Sequence, residues 1–136
     1  MLQINRKVGY ALTSLKYIQR KEPEELTSAK EISHMFNLPF DPTSRVLQLM
    51  AKNDILEAVQ GVKGGYRFKN GIENISVRAL AEMLIGSIEL TKCMRKKKTT
   101  DCDASLKCEI IPAMYEMNTR INELFDNLYI QDLINK

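Results

Sequence analysis

The sequence predicts a mainly α-helical chain that carries one small β-hairpin and closes on a long helix. Three observations predict it. Amphipathic segments with helical spacing fill residues 7–53, a glycine-rich turn joins two short β-rich runs between 55 and 68, and an apolar seam runs from Ile110 to Leu128.

The first helix is expected over 7–21, where Val8, Ala11, Leu12, Leu15 and Ile18 share a face and Pro23 marks the stop. Thr27 or Ser28 caps the second, in which Ala29, Ile32, Ser33 and Phe36 line up, and Asn37-Leu38-Pro39 breaks it. The third is expected to start with Asp41 as N-cap and Pro42 at the first helical position. Val46, Leu47, Leu49 and Met50 form its buried side, and Asn53-Asp54 ends it. Ile55–Val59 and Tyr66–Phe68 read as strands around a turn at Gly61–Gly65. A fourth helix runs from Ser76 to Gly86. The last helix has Ile110, Met114, Met117, Ile121, Leu124 and Leu128 at spacings of 4, 3, 4, 3 and 4, with Pro112 tolerated in its first turn. That seam of about two and a half heptads suits packing against another long helix.

The 136 residues fit one compact domain or a small domain with an appended helix. With 44% hydrophobic and 27% charged residues, the composition is that of a globular chain and excludes a disordered or fibrous one. No apolar run reaches the roughly 18 residues a membrane span needs. The start lacks the apolar core of a secretory signal, so a cytoplasmic, reducing location is expected. Formal charge is +3; residues 1–75 hold 11 Lys/Arg against 8 Asp/Glu, so the whole excess sits in that half.

Helix, helix, short turn, helix and hairpin is the order of a winged helix-turn-helix, in which the helix after the turn enters the major groove and the wing lies along the flanking backbone. Residues 1–75 are therefore expected to be the DNA-binding module, acting on double-stranded DNA. Thr43, Ser44, Arg45 and Gln48 are expected on the first turns of the third helix, away from its Val46/Leu47/Met50 side. There Arg suits guanine and Gln suits adenine. In the wing, Lys63, Gly64, Gly65, Tyr66 and Arg67 combine cations with glycines that let the backbone approach phosphate. Ser28 and Lys30 at a helix N-terminus suit a phosphate oxygen.

Composition does not explain the three cysteines. Cys93, Cys102 and Cys108 lie within sixteen residues, in a segment over 87–108 with no clean period. An odd count argues against a disulfide framework. Three thiolates suit a soft metal, either an iron–sulfur cluster or zinc, although zinc sites usually show C-x2-C pairs and none is present. The basic neighbours Lys92, Arg95 and Lys96 would also make Cys93 reactive, which leaves a metal-free disulfide switch open. Asp101, Asp103 and Glu109 adjoin the cysteines as oxygen donors or as solvated loop acids. His34, the only histidine, reads as a surface residue of the second helix. No nucleophile–base pair or phosphate loop is present, so an enzyme is not expected.

Lys7-Val8-Gly9-Tyr10-Ala11-Leu12 resembles the opening of the IscR/NsrR family of bacterial winged-helix regulators, the Rrf-two family. Gly61–Phe68 looks like its wing signature, Ile75-Ser76-Val77 like the start of its next helix, and Leu128–Ile134 like its closing segment. The cysteines sit where cluster-binding members place theirs. The resemblance implies a homodimeric regulator of a palindromic operator that holds an iron–sulfur cluster (2Fe–2S or 4Fe–4S) on Cys93, Cys102 and Cys108. It would sense iron–sulfur status, nitric oxide or redox state. It also implies that the helix over 109–128 pairs across the dimer through Met114, Met117, Ile121, Leu124 and Leu128, so that 76–136 forms a dimer-and-sensor half. Two departures are visible. The spacing is C-x8-C-x5-C where the family commonly has C-x5-C-x5-C, and the relatives' histidine or aspartate ligand positions hold Ile111 and, near the other, Gly9. A thiol-redox regulator without metal, and an adaptor using the winged helix for protein contacts, are the competing readings.

Overall fold

The computed structural model describes residues 3–90 and 108–136. Helix α1 (Arg6–Gln19) starts at Asn5, whose side chain accepts from the Lys7 amide at 3.0 Å. Its buried stripe is Val8, Ala11, Ser14, Leu15 and Ile18, with the Ser14 hydroxyl donating back to the Tyr10 carbonyl at 2.7 Å. Helix α2 (Ala29–Phe36) takes Ser28 rather than Thr27 as its cap, the Ser28 oxygen accepting from the Glu31 amide. It ends where Asn37 turns left-handed, at φ 51° and ψ 45°, a conformation Asn tolerates.

Helix α3 (Phe40–Lys52) corrects the expected start. Pro39 is its N-cap, with no side-chain capping bond, so Asp41 is the second helical residue and Pro42 the third. The shift is permitted because the first N–H groups of a helix have no intrahelical acceptor, so Pro42 forfeits no bond there. Asp41 still complements the helix dipole from the first turn.

Strands β1 (Leu56–Val59) and β2 (Gly65–Phe68) pair antiparallel, Leu56 opposite Phe68 and Val59 opposite Gly65. The hairpin is anchored near its turn. Thr27 pairs with Tyr66 through two backbone bonds, Thr27 N–H to the Tyr66 carbonyl at 2.9 Å and Tyr66 N–H to the Thr27 carbonyl at 2.8 Å. That third strand-like residue abuts the cap of α2, so the wing and α2 share a backbone connection.

Helix α4 (Val77–Ile85) lies within the expected 76–86, with Ser76 as its N-cap. Helix α5 (Ile111–Asp126), with Pro112 in its first turn, stops short of the expected end. Leu128 lies beyond it, its carbonyl accepting from Val77 N–H at 2.7 Å, while Ile130 N–H donates to the Ile75 carbonyl at 2.9 Å. The chain then forms a separate short helix, α6 (Ile130–Ile134). Those two bonds consume backbone groups that a continuous helix would have used internally.

One core joins these elements: Leu15, Ile32, Leu47, Met50, Leu56, Leu80 and Ile130 are all essentially inaccessible. It does not stop at residue 75, because α4 and α6 both pack on α1. Among the described residues no helix is long and apolar enough to cross a membrane.

Candidate nucleic-acid interface and cysteine segment

Along α3 the buried residues are Thr43, Val46, Leu47 and Met50, the i, i+3, i+4, i+7 stripe of a helix facing a core. Thr43 is thus corrected: it is fully buried on the apolar side and cannot present its hydroxyl outward. Ser44, Arg45 and Gln48 occupy the outward side, Arg45 and Gln48 exposed and Ser44 half-buried. The Gln48 amide donates to the Ser44 hydroxyl at 3.2 Å, so these two act as a pair one turn apart.

Electrostatics sort the expected cations. Arg67 is held by two carboxylates, Glu57 and Glu24, each at 2.9 Å, and its guanidinium pKa is raised, first by the Glu57 hydrogen bond and then by that residue's charge. Much of its charge is spent inside the wing base. Lys30, Arg45 and Lys63 are exposed, and among the described residues no carboxylate pairs with them. Ser28 accepts a helix amide yet retains its own proton to donate outward.

The wing's glycines hold close approaches. A Cβ on Gly65 would sit 2.8 Å from the Thr27 carbonyl carbon and oxygen, and one on Gly64 would strike the Val59 carbonyl. Tyr66 is half-buried, and burial raises the pKa of its phenol. Behind the wing, Glu31 ties α1 to α2. It accepts from Lys21 Nζ at 2.6 Å and Tyr17 Oη at 2.7 Å. Burial pushes the Glu31 carboxyl up, but the Lys21 and Tyr17 hydrogen bonds, the Lys21 charge and the Ser28 amide bring it to a net value below 4.5. The same Glu31 bond, with burial, raises Tyr17. His34 is exposed, as expected.

A family model described as Rrf2, iron-dependent transcriptional regulator, matches residues 4–136. The chain belongs to the Rrf2 family. It is a transcription regulator of that family and not an enzyme. Similar relatives include the transcriptional regulator NsrR of Halalkalibacterium halodurans, 22% identical over 133 residues, covering 98% of this chain and 90% of the relative. The regulator IscR of Erwinia tasmaniensis is 22% identical over 134 residues, covering 98% and 79%. Among solved structures, CymR, the global cysteine regulator of B. subtilis, superposes with a TM-score of 0.70 at 21% identity, covering 99% of this chain and 98% of that one. T. potens IscR gives 0.69 at 18% identity, covering 98% and 87%. These likenesses establish the mainly helical fold with a two-stranded wing.

Of the cysteines in this Rrf2 chain, Cys93 and Cys102 lie outside the described residues. Cys108 is a free, half-buried thiol just ahead of α5. On the near side of the segment, two asparagines of α5 hold its entry. Asn118 Oδ1 accepts from Leu90 N–H at 3.1 Å, and Asn122 Nδ2 donates to the Ile88 carbonyl at 3.3 Å. Both ends of the cysteine segment therefore fasten to α5, an arrangement the lack of periodicity over 87–108 gave no means of finding. On α5 itself, Met117 and Leu124 are 47% and 56% exposed and Ile110 just before it 57%, one residue per heptad, while Met114, Ile121 and Leu128 are half-buried. Half of the apolar seam is thus exposed among the described residues.

Proposed function

We propose that this Rrf2 protein binds a palindromic operator as a homodimer and that an iron–sulfur cluster on Cys93, Cys102 and Cys108 controls its affinity. The observation that carries the DNA reading is the outward side of α3, where Ser44, Arg45 and Gln48 stand without carboxylate partners among the described residues, next to a wing fixed to α2. Arg45 can donate twice to guanine O6 and N7, and Gln48 can pair with adenine once it releases Ser44. Ser28, Lys30 and Lys63 supply phosphate contacts, and Gly64 and Gly65 keep the wing backbone slim.

The donor chemistry fits the cluster. Three thiols on one segment are the ligands iron–sulfur groups take, and the family is described as iron-dependent. When bound, the group supplies a centre reactive toward oxidants and nitric oxide. The chain's own contribution is mechanical: Cys108 leads directly into α5, and Asn118 and Asn122 hold the other limb of the segment on the same helix. Whatever the three cysteines bind therefore bears on α5, whose exposed Met117 and Leu124 support pairing with a second copy. Residues 1–75 would then read DNA and 76–136 sense and dimerise.

The test is anaerobic purification with iron and sulfide counts, followed by operator titration of wild type and Cys102→Ala. The two should differ by about 5- to 150-fold, the usual range for coupled sites. Equal affinities would refute the coupling. A colourless protein that forms a reversible disulfide would favour the metal-free thiol switch instead.

A further inference from the structure

The helix-turn-helix carries exposed apolar side chains that neither the core nor the polar readers account for. Phe40, the first residue of α3, is 50% exposed, and Met35, in the last turn of α2, is 59% exposed. Phe36 between them has a partner, its ring meeting Tyr17 edge-on at 5.5 Å. Neither Phe40 nor Met35 is among the buried residues of the core.

Phe40 stands four residues before Ser44 and eight before Gln48. Side chains at this spacing are neighbours on a helix, and the Gln48–Ser44 bond shows the lower two in contact. The row winds from the edge of the outward face at Phe40 to its middle at Gln48. A recognition helix presents its N-terminal residues to base edges, and on α3 the N-terminal residue is Phe40. The major groove offers one apolar feature, the C5-methyl group of thymine, and apolar side chains including Phe pack on it. From this geometry we infer that Phe40 is a specificity-determining residue that selects a thymine in each half-site by burying its methyl group, with Met35 flanking the contact. The inference rests on the proposed DNA reading.

The test uses deoxyuridine, which pairs as thymine does but lacks the methyl. A duplex is selected from a random pool with the full-length protein, and each thymine is then replaced in turn. Wild type should lose about fourfold in affinity at one thymine per half-site, the effect of one methyl group. Phe40→Ala should bind the unmodified duplex correspondingly more weakly and be indifferent to that replacement, while Phe40→Leu should keep the sensitivity. The inference is overturned if wild type is indifferent to uridine at every thymine, or if Phe40→Ala responds as wild type does. Failure of wild type to select any DNA would overturn the proposed function itself, and this inference with it.

Discussion

Substitution of Gly65 by Ala tests how the wing is held. The added Cβ would meet the Thr27 carbonyl at 2.8 Å and the Ser28 nitrogen at 3.1 Å, and both neighbours are backbone that cannot rotate aside. Relief requires β2 to move away from Thr27, which breaks the pair of bonds at 2.9 and 2.8 Å between Thr27 and Tyr66. At a net of about 0.5–1.5 kcal/mol per hydrogen bond, the loss is about 1–3 kcal/mol. For a chain of this size that lowers the thermal midpoint by roughly 3–10 °C. Urea titration should give the same loss with an unchanged slope, and amide exchange should accelerate first at Thr27 and Tyr66. Gly9→Ala is the counter-case: Gly9 lies inside α1 with nothing within 4 Å of a Cβ, so the change should stabilise by about 0.5–1 kcal/mol. If Gly65→Ala melts with wild type and exchanges its Thr27 and Tyr66 amides no faster, the wing is not anchored this way.

Acid should loosen the α1–α2 junction. The Glu31 carboxyl titrates below its ordinary 4.5, so its stabilising effect is complete above that value and disappears as pH falls through the lower native one. Glu31→Gln should remove that part of the pH dependence at a cost of roughly 0.5–1 kcal/mol at neutral pH, a screened figure for a partly exposed carboxylate; identical acid unfolding curves would contradict it. Leu124→Asp places a charge in the exposed half of the α5 seam, so wild type should sediment as a dimer and the variant as a monomer. A variant that stays dimeric would remove α5 from the interface.

Periodicity made most of the fold legible, because a buried stripe repeats whatever surrounds it: Val8, Ala11, Leu15 and Ile18 identify α1, and Val46, Leu47 and Met50 identify the inner side of α3. The same rule, applied strictly, would have assigned Thr43 to that side, since it stands three residues before Val46; residue type drew it outward. Phe40 was not legible as a helix residue, because Asp41 and Pro42 pointed to a later start; only the structure makes it the exposed first residue of α3. The break before α6 was hidden because Leu128 continues the seam's spacing. Only the bonds from Val77 to Leu128 and from Ile130 to Ile75 show that the chain has left the helix.

Local chemistry along the chain therefore determined the helices, the hairpin, a cap at Thr27 or Ser28 and the crowding of three cysteines, since each depends on neighbours a few residues away. Tertiary structure decided which charges remain available, which side chains face outward and where the cysteine segment is fastened. Arg67 is paired with Glu24, 43 residues away in the chain, and Leu90 is held by Asn118, 28 residues away. Such pairings arise when separate elements pack on one core, and no short-range pattern encodes them.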